Sequence, residues 1–142
     1  MNHLAVLTSG GDAPGMNASL RAIVRSANNI NVNVYGVFNG FEGLIDDRLS
    51  LLKSRQVGNI IQRGGSILQT SRSKRFLKKV YRDQARENLS KRNINSVIVI
   101  GGEGSLKGAK CLGEEGELNV VGLPATIDRD LPLVGPTVGF DT

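Results

Sequence analysis

Three short stretches carry residues able to do chemistry together. Gly101-Gly102-Glu103-Gly104-Ser105 follows an apolar run, Val97 to Ile100. Thr8-Ser9-Gly10-Gly11-Asp12-Ala13-Pro14-Gly15 follows Leu4 to Leu7, and Pro124-Ala125-Thr126-Ile127-Asp128-Arg129-Asp130 follows Val120 to Leu123. Glycine turns let backbone N–H groups approach an anion, and a helix starting there adds its dipole. Glu103 beside bound phosphates calls for a cation such as Mg²⁺ between them. Asp128 and Asp130 offer carboxylates for a proton or a metal, and Arg72, Arg21 and Arg25 offer cationic forks. A phosphate cradle, a metal, a base and a cation are the parts of phosphoryl transfer. Asp128, beside Thr126, is the better candidate base, with Asp130 assisting the metal. An isolated Asp-x-Asp more often caps a turn. Two glycine loops at matching strand ends tip the reading toward chemistry.

The elements that must position these loops alternate between strand and helix. Strands are expected at Leu4–Leu7, Val32–Phe38, Val97–Ile100 and Val120–Leu123. Leu20, Ile23, Val24 and Ala27 keep a helical period after Pro14, which suits a first turn, with Asp12 or Ala13 at the helix entry. Asn39-Gly40 signals a turn, and Phe41 to Leu52 follows no clear pattern. Ser54 is expected to cap a short helix reaching Ile61, and Arg63-Gly64-Gly65-Ser66 to form another glycine turn. Residues 69–75 read as a polar basic loop whose hydroxyls and Arg72 suit a phosphate clamp. Residues 76–92 read as an amphipathic helix with Phe76, Val80, Ala85 and Leu89 inward and Asn93 ending it. A further helix runs from Ser105 to Gly113 or Glu115, and Val134–Phe140 begins another element. The alternation predicts an α/β fold: a three-layer, parallel-sheet, Rossmann-like domain. Ligands bind such sheets at the carboxyl ends of the strands, so the three loops should meet on one edge.

The 142 residues suffice for one domain with a real core. A net charge of +5 suits small polyanions as well as nucleic acid, but four Phe, two Tyr and no Trp leave few stacking surfaces, which argues against a nucleic-acid partner. The single cysteine, Cys111, excludes an internal disulfide framework and suggests a reducing compartment. No apolar stretch is long enough to span a bilayer and residues 1–15 lack a signal-peptide pattern, so a cytoplasmic protein without membrane contact is expected.

The chain resembles the N-terminal part of a 6-phosphofructokinase. The matching segments are Leu7 to Asn17, Arg63-Gly64-Gly65, Thr70-Ser71-Arg72, Gly101 to Ser105, Pro124 to Asp130 and Gly139-Phe140-Asp141-Thr142. They run through nearly the whole chain at the family's spacing. The resemblance implies ATP as phosphoryl donor, Mg²⁺ as cofactor and fructose 6-phosphate as acceptor. Gly11, Phe41, Arg72, Ser73, Gly102, Glu103, Gly104, Ser105 and Gly108 would then contact ATP, with Arg72 reaching the transferred phosphoryl. Thr126, Ile127 and Asp128 would face the sugar phosphate, Asp128 taking the proton of its 1-hydroxyl. Glu103 and Asp130 would serve the metal. Arg21 and Arg25, with Ser54 and Arg55, match the region that binds ADP or phosphoenolpyruvate effectors in bacterial members. Gly104 and Ala125 favour ATP, because pyrophosphate-using relatives tend to carry Asp and Lys there.

Some positions depart from the family. Glu103 replaces a usual Asp, Arg129 a usual Asn, Ala125 a common Gly, and Ser54 an effector-binding Arg. These departures motivate an alternative, a catalytically impaired paralogue with a regulatory or assembly role. The resemblance also implies that residues 1–142 form the nucleotide-binding N-terminal domain. A C-terminal substrate domain, and a tetramer of full-length chains, would complete the enzyme.

Overall fold

The computed structural model describes residues 2–11, 15–60 and 65–125. Five strands form one sheet: β1 (Asn2–Thr8), β2 (Val32–Val37), β3 (Leu49–Leu52), β4 (Ser96–Gly101) and β5 (Asn119–Pro124), in the spatial order β3-β2-β1-β4-β5. β1 pairs in parallel with β2 and β4, and β4 with β5, while β3 runs antiparallel to β2. Four helices cover the sheet: α1 (Met16–Asn29), α2 (Gly40–Ile45), α3 (Lys79–Ser90) and α4 (Glu103–Glu114). The expected three-layer, mostly parallel α/β architecture is present.

Strand alternation divides the core in two. Ala5, Leu7, Val97 and Val99 point to one face, where Leu44, Ile45, Ala85, Leu89, Ala109 and Leu112 of α2, α3 and α4 bury them. Val6, Val34 and Ile100 point to the other, against Leu20, Val24 and Ala27 of α1 and Val57 of a 3₁₀ turn, Ser54–Val57. Gly36 on β2 is a packing requirement: a Cβ there would stand 2.7 Å from both Leu52 and Leu68 side chains.

Several local expectations are corrected. The Asn39-Gly40 turn is real, with both residues at positive φ (63° and 57°), but it opens directly into α2. The unpatterned stretch that follows contains α2 and the antiparallel strand β3. The described helix α1 starts at Met16 behind Gly15 (φ 95°), and the entry expected at Asp12 or Ala13, with Pro14, lies outside the described residues. Ser54 does not cap a helix to Ile61. Its hydroxyl accepts a hydrogen bond from Asn28 Nδ2 at 2.9 Å, and the turn it opens ends at Val57. The helix expected over 76–92 is split. Arg75–Leu77 is a separate 3₁₀ turn, and Lys78 is extended (φ −101°, ψ 134°) before α3. That break resets the helical phase, so Val80 is 65% exposed while Phe76, Ala85 and Leu89 are buried. α3 ends at Ser90, before the expected Asn93; Asn93, at φ 59°, closes the turn that follows, with Ile94 N–H donating to Leu89 O at 2.9 Å. The element expected at 134–140 lies outside the described residues.

Candidate functional site

Register brings the glycine loops to one edge. Thr8 pairs with Ile100, and Gly101 with Pro124, so β1, β4 and β5 end together. Ser9 N–H donates to Ile100 O at 2.9 Å, and Ala125 N–H to Gly101 O at 3.0 Å, which ties the loops to each other. Gly101 is required by contact: a Cβ there would lie 2.6 Å from Ser105 Cβ and 2.9 Å from Ser9 O. Ser105 Oγ would meet a Cβ on Gly10 at 3.2 Å, so the two glycine turns touch.

α4 begins as an anion site would. Its N-cap, Gly102, supplies no side-chain cap, which leaves the first helical N–H groups without that partner. Among the described residues, a Cβ added at Gly102 or Gly104 would meet nothing within 4 Å. Donors without a side-chain cap therefore stand at the positive end of the helix, where an anion is favoured. Glu103 is exposed there and makes no hydrogen bond or ion pair among the described residues.

A cation faces this edge from a distant segment. Arg72 is exposed, and its Nη2 lies 3.3 Å from the position a Cβ on Gly11 would occupy. Gly10 N–H donates to Ser71 O at 3.1 Å, and Ser71 Oγ donates to Asn39 O at 2.6 Å. Thr8 Oγ1 donates to Gln69 O at 2.8 Å and lies 2.8 Å from Ser66 Oγ. These buried hydroxyls hold the basic loop against the end of β1.

Further along α4 the site turns aromatic. Phe41 and Phe76 stack with centroids 3.9 Å apart and planes 15° apart. Gly108 lies against them: a Cβ there would stand 3.2 Å from Phe41 and 3.4 Å from Phe76. Both rings are 4% exposed, so Phe41 packs on Phe76 as part of the core.

Ser73 is engaged within the protein. Its hydroxyl donates to Glu42 Oε2 and accepts from Phe76 N–H at 3.2 Å. Arg75 donates to Glu42 Oε1 through Nε (3.1 Å) and Nη2 (2.7 Å), and Nη2 also reaches Asp46 at 2.9 Å. The hydrogen bonds from Arg75 and Ser73 hold the Glu42 carboxyl below its ordinary range.

The structure thus brings together Gly11, Arg72, Gly102, Glu103, Gly104 and Ser105, and separately joins Phe41 to Gly108. Thr126, Ile127, Asp128 and Asp130 lie outside the described residues. Arg21 and Arg25 lie on α1, and Ser54 and Arg55 in the turn packed against it through the Asn28–Ser54 hydrogen bond. Arg21 Nε is buried without a hydrogen-bond partner among the described residues. Sequence reasoning missed Glu42 and Arg75. No local pattern marks them, because their partners are 29 to 33 residues away.

Comparison with known proteins agrees with this layout. The family model described as Phosphofructokinase matches residues 3–142. The chain belongs to the phosphofructokinase family. It is 47% identical over 142 residues to an ATP-dependent 6-phosphofructokinase of a Thermoanaerobacter species, covering all of this chain and 44% of that protein. It is 51% identical over 139 residues to the ATP-dependent 6-phosphofructokinase of Coxiella burnetii, covering 98% of this chain and 43% of that protein. Among solved structures, the phosphofructokinase of Saccharomyces cerevisiae superposes with a TM-score of 0.86 at 35% identity, over 92% of this chain and 21% of that one. The chain therefore spans less than half the length of the curated relatives it matches.

The donor set fits a magnesium nucleotide. Gly102 and Gly104 leave open space among the described residues at a helix start, and Arg72 supplies a fork. Among the described residues no group of three or more His, Cys, Asp or Glu side chains could hold a metal alone. Mg²⁺ held by one or two carboxylates plus phosphate oxygens matches a site whose described acid is Glu103.

Proposed function

We propose that this chain is the Mg-ATP-binding and catalytic-base portion of an ATP-dependent 6-phosphofructokinase, transferring a phosphoryl group to fructose 6-phosphate. The observation that carries the reading is the convergence of Arg72, Gly11 and the uncapped start of α4 on one sheet edge. Backbone N–H groups at Gly102 to Ser105 and at Gly11 bind the phosphates. Arg72 answers the charge of the transferred group. Glu103, with Asp130, holds Mg²⁺, which when bound neutralises phosphate charge. Asp128 takes the proton of the sugar hydroxyl, with Thr126 and Ile127 beside it. Phe41, buried on Phe76 and against Gly108, supports the nucleotide site along α4 from the core side. Arg21, Arg25, Ser54 and Arg55 form the region for an ADP or phosphoenolpyruvate effector. A substrate domain, a tetramer of full-length chains and a cytoplasmic setting complete this reading. Among the described residues no helix is long and apolar enough to cross a membrane.

Calorimetry on the chain tests this directly. Mg-ATP is expected to bind with measurable heat, and Mg-pyrophosphate more weakly. Stronger binding of pyrophosphate, or no binding of Mg-ATP, overturns the reading.

A further inference from the structure

Arg72 makes no hydrogen bond or ion pair of its own among the described residues, yet it is placed over Gly11. The chain on either side of it must therefore fix it. On the N-terminal side, Gly10 holds Ser71 O and Asn39 O holds Ser71 Oγ. On the C-terminal side, the side chains of Ser73 and Arg75 both end on Glu42. Asn39 and Glu42 flank the first turn of α2, so one short element grips the loop on both sides of Arg72. Gly40 makes this possible. With φ 57° it turns the chain into α2, and a Cβ there would stand 2.9 Å from Thr8 O and 3.4 Å from Ser71 N. Asp46, just past the end of α2, also braces Arg75.

We propose that Glu42 is a positioning residue: its carboxylate clamps Ser73 and Arg75 and so aims Arg72 at the phosphate end of the site. This rests on the reading of that edge as an ATP site. Glu42 acts through Arg72, since its two oxygens are already taken by Ser73 and Arg75. A clamp of this kind raises affinity by ordering an arginine before the ligand arrives.

The test compares Mg-ATP with Mg-ADP, because an arginine aimed at the transferred phosphoryl distinguishes the two. In the full chain, Glu42→Leu should weaken Mg-ATP about tenfold, as loss of a charged hydrogen-bonding clamp does, and leave Mg-ADP unchanged. Arg72→Met should do the same. The double variant should be no worse than either single one, because the two changes remove one interaction. Glu42→Gln, which keeps the shape and an acceptor for Ser73, should recover part of the loss. Arg75→Gln attacks the clamp from its other partner and should reproduce the effect if Glu42→Leu fails to fold. Equal weakening of ATP and ADP, or losses that add in the double variant, would make Glu42 merely structural and overturn the proposal. Normal Mg-ATP binding by both Glu42→Leu and Arg75→Gln would overturn it alone. No Mg-ATP binding by the unsubstituted chain would overturn the nucleotide reading and this proposal with it.

Discussion

Two parts of the molecule treat charge in opposite ways. On the flank where α3 meets the end of α4, several charges are paired. Arg82 holds Glu115 through two hydrogen bonds of 2.8 Å and donates to Phe76 O at 2.8 Å, and Arg86 joins Glu115 at 3.2 Å. Lys91 and Arg92 pair with Asp47 at 3.0 and 3.2 Å, tying α3 to the loop after α2. At the carboxyl edge of the sheet, Arg72 and Glu103 are exposed and unpaired among the described residues. Paired charges there would have to be torn apart before an anion or a metal could bind. The flank spends its charges on holding helices together, and the edge keeps its charges available.

Crossing the two regions should give the largest effect. Arg82→Met leaves Glu115 with Arg86 alone and frees the Phe76 carbonyl, and the Arg82 side chain is only 12% exposed. We expect a loss of about 2–3 kcal/mol in denaturant unfolding, with the phosphate end of the site still binding Mg-pyrophosphate as before. Arg72→Met should do the reverse: stability within about 0.5 kcal/mol of the original, as for exposed sites without partners, and Mg-ATP binding weakened about tenfold or more. If Arg72→Met unfolds the chain as readily as Arg82→Met, the contrast between paired and available charge fails.

Acid should act on the flank first. The Arg82 guanidinium beside Glu115 lowers its carboxyl from 4.5 to about 2. A carboxyl lowered on folding contributes stability that is complete above its unfolded pKa and is lost as pH falls through the folded value. Glu115 therefore stabilises fully above about pH 4.5 and progressively less down to about pH 2. Asp83 and Glu42, lowered by Lys79 and by Arg75, respectively, change in the same direction. Glu115→Gln should flatten the fall in unfolding free energy between those two pH values. An unchanged slope would show that the flank does not carry the acid sensitivity.

The edge was legible in the sequence and the flank was not. Strand runs that stop at glycines are local signals, and β1, β4, β5 and the start of α4 appear within two residues of their expected positions. The touching of Gly10 and Gly101 on Ser105 follows from that placement. Arg82–Glu115 and Glu42–Arg75 join residues 33 apart, and no periodicity encodes such a pairing. α2 and β3 were unread for the same reason. Gly43 looks like a helix breaker, yet a Cβ there would strike the backbone oxygen of Phe38, five residues earlier, so the tight entry from β2 into α2 dictates its identity. Val80 was misread because the break at Lys78 is a tertiary choice: Phe76 turns inward to stack on Phe41, and the helix restarts out of phase. Asp128, the residue on which the chemical reading leans hardest, lies outside the described residues, so its role rests on the loop's sequence.

The smallest expected effect probes the edge without touching its charge. Gly104 lies in the first turn of α4, and a Cβ there would meet nothing within 4 Å. Gly104→Ala should therefore stabilise the fold by about 0.5 kcal/mol, because alanine loses less backbone entropy than glycine in a helix. If the open space belongs to a phosphate, the same methyl should weaken Mg-ATP several-fold by holding the anion away from the backbone donors. Stability and binding would then move in opposite directions from one methyl group. That opposition is expected of a glycine kept for ligand approach. A melting curve and an ATP titration on one preparation decide it. Gains in both would mean that the space at Gly104 is merely surface, and that the availability of this edge rests on Arg72 and Glu103 alone.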